Sequence, residues 1–352
     1  MLTEPTTRRR PHRRGRALAP PTLYLVAPES LAAWFPSFVD DVPGDLILFT
    51  GEDGAAPAER ILRLLGEGPA RTTVLLPSHE TLERDSALAR RLRGHGHRVL
   101  GPSRRSVRLG TDKVLMKQFF DRRGFASPPW AAAGHERRLA SPDALVVVKQ
   151  RRGTQSVGTR LARLGDCALR GDELCELYLD GVEYSVVVYR DDRREVVFPP
   201  IWKGRTSTAL VPPWRRLRLC PDPLLSPARE GALRTGARTI AAAAGVCGLV
   251  EVEYLVTPEG ELQVLEINPR VAGTVRLAAM ATGAAIFSLH RLDLAGDLDA
   301  SSYAAEVPYT GAPFADEREQ VFATSRLTVA GETLAAACRK LDRALRGEGV
   351  RP

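Results

Sequence analysis

Lysine is nearly absent from this sequence. Of 50 basic residues 45 are arginine, and lysine stands only at positions 113, 117, 149, 203 and 340. Long apolar runs are missing too. No stretch approaches the ~18–20 uninterrupted apolar residues of a transmembrane helix, which argues against a membrane protein. The five cysteines (Cys167, Cys175, Cys220, Cys247, Cys338) are odd in number, widely spaced and without a C-x-x-C pair. Neither a disulfide framework nor a thiolate zinc site is encoded, so a reducing cytoplasm is the expected setting. The six histidines lack H-E-x-x-H or H-x-x-E-H spacing, which speaks against zinc hydrolysis. No Ser-His-Asp or Cys-His arrangement is legible, no G-x-G-x-x-G follows the first apolar run, and the P-loop string is absent.

What is present is a chain of 352 residues, 44% hydrophobic and 26% charged, enough for two or three packed domains. Its net charge of +8 is unevenly spread: residues 1–20 carry +5, with six arginines (Arg8, Arg9, Arg10, Arg13, Arg14, Arg16) against Glu4. A solvated, disordered basic tail is the expectation for 1–20, rather than a nucleic-acid arm. Ala17 to Pro21 is too short and Pro-rich for a secretion signal. The scarcity of lysine has a physical reading. A chain that uses arginine wherever a positive charge suffices keeps lysine where the planar fork does not fit, as for a compact ammonium on phosphate oxygens.

Apolar runs at Leu23–Val26, Leu46–Phe49, Thr73–Leu76 and Val99–Leu100 alternate with helical segments at Ala58–Leu65 and Thr81–Leu92. This predicts a small parallel α/β layer over 21–110. Thr111 or Asp112 caps a helix over Val114–Arg123, closed by Gly124. Strands follow at Ala144–Lys149, Thr159–Leu164 and Gly181–Arg190. Ser226-Pro227 opens a helix with Leu233, Ala237, Ile240, Ala241 and Ala244 on one face. A hairpin turning at Thr257-Pro258-Glu259-Gly260 comes next.

That hairpin carries the chemistry. In Leu249–Val256, Glu251 and Glu253 share one face and Val250, Val252, Tyr254 and Val256 the other. In the return strand Glu266 and Asn268 share a face with Leu262 and Val264. A connecting loop of even length brings both polar sets to one side. Carboxylates this close repel unless a cation joins them, and an all-oxygen donor set suits magnesium with substrate phosphates. Glu251 rivals Glu253 as a ligand, because both face the same way. Lys149, at a strand end, precedes Gln150-Arg151-Arg152-Gly153-Thr154-Gln155-Ser156-Val157-Gly158, a loop whose amides can close over phosphates.

Together these motifs resemble the ATP-grasp ligases over about Thr111 to Arg291. Thr111-Asp112-Lys113 resembles the opening of the ATP-binding region, and Lys149 the second phosphate-contacting lysine. The resemblance implies that Gly153, Thr154 and Ser156 cover the phosphates. It also implies that the backbone of Glu176, Leu177, Tyr178 and Leu179 meets adenine, while Glu183 meets the ribose. Glu253, Glu266 and Asn268 would hold magnesium (or manganese), and Arg270, in Asn268-Pro269-Arg270, would face the transferred phosphate. Arg276 is the candidate for an anionic group of the organic substrate. Departures are the Arg151-Arg152 pair in the loop and the segment Ile201–Thr208, which does not match the corresponding loop of carbamoyl phosphate synthetase.

The implied fold is α/β (α+β), an ATP-grasp domain behind a Rossmann-like N-terminal layer. Its divisions are a layer at 21–110, an ATP-grasp domain at 111–295 (small lobe 111–174, large lobe 175–295) and a segment at 296–352 packing on the large lobe. The implied activity joins a small-molecule carboxylic acid to an amine with ATP, through an acyl phosphate. Alternatives are activation of bicarbonate or a carboxylate for a separate partner protein, and a nucleotide-binding protein without catalysis. No membrane or nucleic-acid partner is expected; a homodimer is compatible with the resemblance.

Overall fold

The computed structural model describes residues 22–26, 46–49, 72–135, 139, 141–153, 156, 158–212, 215–309, 320–323 and 326–346. The expected basic tail at 1–20 and the expected helix at 58–65 lie outside them. Four short parallel strands form the N-terminal layer: β1 (Leu23–Val26), β2 (Leu46–Phe49), β3 (Thr73–Leu76) and β4 (Val99–Leu100), ordered β2-β1-β3-β4. Their continuous apolar runs suit burial on both faces. Leu23, Leu25 and Leu75 pack on helix α1 (Leu82–Gly94) through Leu88, Ala89 and Leu92. Tyr24, Val26, Val74 and Leu76 turn the other way, into a core shared with Val187, Tyr189 and Phe287. The alternation of one strand thus fastens the layer to the rest of the molecule.

Two helices follow, α2 (Arg104–Thr111) and α3 (Lys113–Arg123). The Ser103 hydroxyl accepts from the Ser106 amide to cap α2, and the Asp112 carboxylate accepts from the Leu115 amide to cap α3. Thr111 is therefore the last residue of α2, and Asp112 is the cap. Gly110 is required at the end of α2, because a Cβ there would lie 2.4 Å from Pro269 Cδ.

A four-stranded antiparallel sheet comes next: β5 (Trp130–Ala132), β6 (Leu145–Gln150), β7 (Arg160–Arg163) and β8 (Glu173–Leu177), ordered β5-β8-β6-β7. The remaining strands build one large sheet. Its main path is β14 (Leu262–Asn268), β13 (Gly248–Val256), β9 (Val182–Arg190), β11 (Ile201–Arg205), β12 (Arg218–Cys220), β16 (Tyr303–Pro308), β18 (Arg326–Gly331) and β17 (Gln320–Ala323). Strand β10 (Glu195–Val197) pairs with β9 and with β15 (Gly296–Asp297).

Helix α4 (Pro227–Ala243) begins at the predicted Ser226 cap, and its Leu233, Ala237, Ile240 and Ala241 meet Val186, Val188, Val250, Val252 and Tyr254 on one face of this sheet. Met116, Phe119 and Phe120 of α3 join the same core. Helix α3 therefore packs on the large sheet rather than within the small one, and β8 carries the small sheet to Leu177. Strands β16, β17 and β18 of the C-terminal segment extend the large sheet, with α6 (Leu334–Leu345) covering β16 and β18 through Ala337 and Leu341.

Candidate active site

Antiparallel pairing of β13 and β14 sets Glu253 opposite Glu266 and Glu251 opposite Asn268. The connecting loop is five residues long, Thr257 to Glu261, and by itself would put the two polar sets on opposite faces. A bulge corrects this: Glu253 pairs with Glu266 but Tyr254 with Val264, so Leu265 is the extra residue. The bulge also moves Val264 and Leu262 to the opposite face, into the core around Tyr254 and Val256. The expectation that they share a face with Glu266 is corrected by that one inserted residue.

The carboxylates have different roles. Glu251 is buried and fixed: the Thr274 hydroxyl donates to its Oε1 at 2.5 Å and Asn268 Nδ2 to its Oε2 at 3.1 Å. Burial opposes its charge, yet Lys203 and the Thr274 bond prevail and hold it at about 2. Glu253 accepts from Asn268 Nδ2 at 3.1 Å and pairs with Lys203 at 2.7 Å. Burial, with Glu251 and Glu266 repelling against the pull of Lys203, pushes it up to about 7. Glu266 lies 3.6 Å from Lys113; burial is outweighed by Lys113, Lys149, Lys203 and Arg270, which hold its pKa below the usual range. Arg270 donates to Asn268 Oδ1 at 3.4 Å.

Facing this cluster from the small sheet, Lys149 on β6 pairs with Glu176 on β8 at 3.2 Å. Lys117, wholly buried on α3, lies 3.4 Å from the other oxygen of Glu176. Burial lowers the Lys117 pKa against the pull of Glu176, whereas for Lys149 the attraction of Glu176 and Glu266 overcomes burial and raises it. Four of the five lysines thus gather here. Lys113 and Lys149 were legible from motifs; Lys117 and Lys203 were not, although the rarity of lysine pointed to both.

The glycine loop is tied to α3. Lys113 Nζ donates to the Gly153 carbonyl, and Arg151 forks onto the Asp112 carboxylate at 2.7–3.0 Å. Ser156 has a positive φ of 60°, and Thr154 lies outside the described residues. The strand-to-strand link after β8 has its Leu177 and Tyr178 amides bonded to Pro129 and Leu145 carbonyls. Among the described residues none accepts from the Leu179 amide. Glu183, on β9, accepts from Arg216 at 3.0 Å.

Arg276 stands elsewhere. It is buried on helix α5 (Val275–Thr282), where its guanidinium donates to Glu306 and, at 2.7 Å, to the Thr328 hydroxyl. It is neither in a loop nor at the carboxylate cluster, because Glu306 on β16 draws it into the sheet together with Arg218 and Arg326.

Among the described residues no three carboxylate, imidazole or thiolate groups form a ready cation cage. Two carboxylates and an amide oxygen suffice for magnesium when substrate oxygens complete the shell. The donor chemistry of Glu253, Glu266 and Asn268 fits that ion, as does the elevated Glu253, a carboxylate crowded by two others.

The family profile "Carbamoyl-phosphate synthase L chain, ATP binding domain" matches residues 215–298. A carbamoyl-phosphate synthase of Methanobrevibacter smithii is 27% identical over 194 residues, 53% of this chain and 52% of that protein. A D-alanine–D-alanine ligase of Alcanivorax borkumensis is 31% identical over 199 residues, 50% of this chain and 61% of that protein. The chain thus spans about half to three-fifths of these relatives' length. Among solved structures, the biotin carboxylase domain of a Hydrogenobacter thermophilus 2-oxoglutarate carboxylase, in complex with MgADP and bicarbonate, superposes with a TM-score of 0.67. That match has 17% identity and covers 92% of this chain and 89% of that one. The chain thus shares its fold with this carboxylase domain over nearly its whole length, and about half of it is similar in sequence to each of the two ligases.

Proposed function

We propose that the chain is an ATP-dependent carboxylate–amine ligase, forming an amide through an acyl phosphate and releasing ADP and phosphate. One observation carries the reading: Glu253, Glu266 and Asn268 on the large sheet stand against Lys113 and Lys149 and against Lys203 of β11. In this reading Glu253, Glu266 and Asn268 hold magnesium, which when bound neutralises phosphate charge and polarises the transferred phosphoryl group. Glu251, already committed to Thr274 and Asn268, orients that amide instead of binding the ion. Lys113 and Lys149 set compact positive charge on ATP oxygens, and the 151–158 loop, with Gly153, Thr154 and Ser156, excludes water from them. Glu176 holds Lys117 and Lys149 in place. The Leu179 amide meets the adenine edge, and Glu183 meets the ribose after exchanging its bond with Arg216. Arg270 stabilises charge developing on the transferred phosphate.

No side-chain nucleophile is required, because the substrate carboxylate attacks the γ-phosphorus and the amine then displaces phosphate. MgADP bound to the carboxylase relative supports the same pair of ligands here. The match to a carbamoyl-phosphate synthase supports a second reading, in which bicarbonate or a carboxylate is activated for a separate partner protein. ADP release with magnesium and a mixed panel of acids and amines, with mass spectrometry of products, tests both. The ligase shows amine-dependent ADP release and a product of mass acid plus amine minus water. Glu266→Ala abolishes it in a folded protein, a loss of several kcal/mol of transition-state stabilisation. Turnover with bicarbonate that ignores every amine favours the second reading, and near-normal turnover in Glu266→Ala removes the magnesium assignment.

A further inference from the structure

Helix α3 presents two chemically different faces. Lys113 and Lys117 belong to the active site, while Leu115 and Phe119, each two residues further on, lie about 200° around the helix. Leu115, Phe119 and Arg122 line one wall of a cavity of about 460 Å³. The other wall is α2, which contributes Arg104, Arg105 and Arg108. Four guanidinium groups and no acid surround this space.

Several arginines elsewhere in this chain are met by carboxylates, as in Arg151–Asp112, Arg160–Glu173 and Arg234–Glu230. Among the described residues none of these four has an acidic partner; Arg105 instead lies over the Phe119 ring, 5.6 Å from its centre. The arrangement is unfavourable by itself. The first turn of α2 has no acid, and Arg104 and Arg105 stand at the positive end of the helix dipole. Arg104 and Arg108 are also one turn apart, where like charges repel.

We propose that this cavity binds a small phosphorylated molecule with an apolar or aromatic body, at a site separate from the nucleotide site. A volume of about 460 Å³ is of small-molecule size. Guanidinium forks match phosphate geometry, and four of them offer more donors than the two oxygens of a carboxylate can accept, which selects a phosphate with three. Leu115 and Phe119 supply the apolar floor, and the exposed arginines its rim.

Calorimetric titration of the full chain with phenyl phosphate, with and without excess MgADP, tests this. Expected are one site per chain, affinity at least tenfold above that for inorganic phosphate, and no displacement by MgADP. The R104Q/R108Q double variant should bind at least tenfold more weakly with an unchanged melting curve; R122Q serves if the double variant does not fold. Absence of heat, displacement by MgADP, or full affinity in the variants overturns the proposal. So does sedimentation with phosphatidic acid vesicles where phenyl phosphate fails to bind, which would make the site a lipid-headgroup contact.

Discussion

Two charge clusters on the large sheet differ in composition and in consequence. One gathers Glu251, Glu253 and Glu266 with lysines 113, 149 and 203 at the edge formed by β13 and β14. The other sets Glu306 among Arg218, Arg276 and Arg326 in the middle strands. In the second, the acid meets its counter-charges within the protein, although Arg326 Nη1 has no hydrogen-bond partner among the described residues. Glu306 is fully buried, accepts from Thr328 at 2.8 Å and from Arg326 at 2.5 Å, and is held at about 2 by three guanidiniums that outweigh its burial. In the first, the acids oppose one another and Glu253 is pushed up to about 7. Lysine at one site and arginine at the other follows the chemistry: the planar fork completes a fixed ion pair, whereas a flexible ammonium can leave its carboxylate for a phosphate. A charge cluster that satisfies itself is structural, and one that remains frustrated is built for something that arrives.

Removing the acid from the satisfied cluster should have the largest effect. Glu306→Gln leaves three buried guanidiniums without their counter-charge, and the expected loss is about 3–5 kcal/mol. Urea unfolding followed by circular dichroism measures it. The pH dependence has a definite sign. A carboxyl depressed to about 2 contributes stability that is present above its unfolded value of about 4.3 and is lost as pH falls toward 2. A variant as stable as the wild type would mean that the arginines are solvated. Arg276 belongs to this cluster, so Arg276→Ala should lower stability without selectively raising the Michaelis constant for an organic substrate.

Only the first of these clusters is legible in the sequence, and the missing part has identifiable causes. The alternation of Glu251 and Glu253 against Val250, Val252 and Tyr254 gave the polar face of β13 directly. The position of Glu266 did not follow from alternation, because the five-residue loop and the Leu265 bulge each shift the register and their effects cancel. Lys117 reads as an ordinary position in an amphipathic helix, and only its rarity marks it. Arg276 was misplaced because Glu306 lies 30 residues away, and no local pattern reveals which buried acid an arginine will find. The strands β16 and β18 were unresolved in sequence for the same reason: their pairing is wholly nonlocal.

A smaller effect sharpens the comparison from the other side. Lys149→Arg keeps the charge but puts a planar fork where Lys149 meets the buried Glu176 beside Lys117. The expected result is about a tenfold fall in kcat/KM for ATP, about 1.4 kcal/mol, with the fold intact. Equal constants for both proteins would show that the lysine site tolerates a fork, and the proposed division of labour between lysine and arginine would fail.

The smallest effect belongs to Glu253 and runs opposite to that of Glu306. A carboxyl raised to about 7 in the fold keeps its proton between about 4.3 and 7, while the unfolded chain has lost it. In that window the unfolded chain binds fewer protons, so the contribution of Glu253 to stability falls as pH rises and levels off above 7. Glu251 and Glu266 are shifted the other way, so the total curve mixes signs; comparison with Glu253→Gln isolates the one group. Between pH 5 and 8, without magnesium, the wild type should lose stability relative to Glu253→Gln. Magnesium, which requires the ionised carboxylate, should recover that difference in the wild type and not in the variant. A difference that stays flat with pH would mean that Lys203 already neutralises Glu253, and the frustrated cluster would then be as self-sufficient as the one around Glu306.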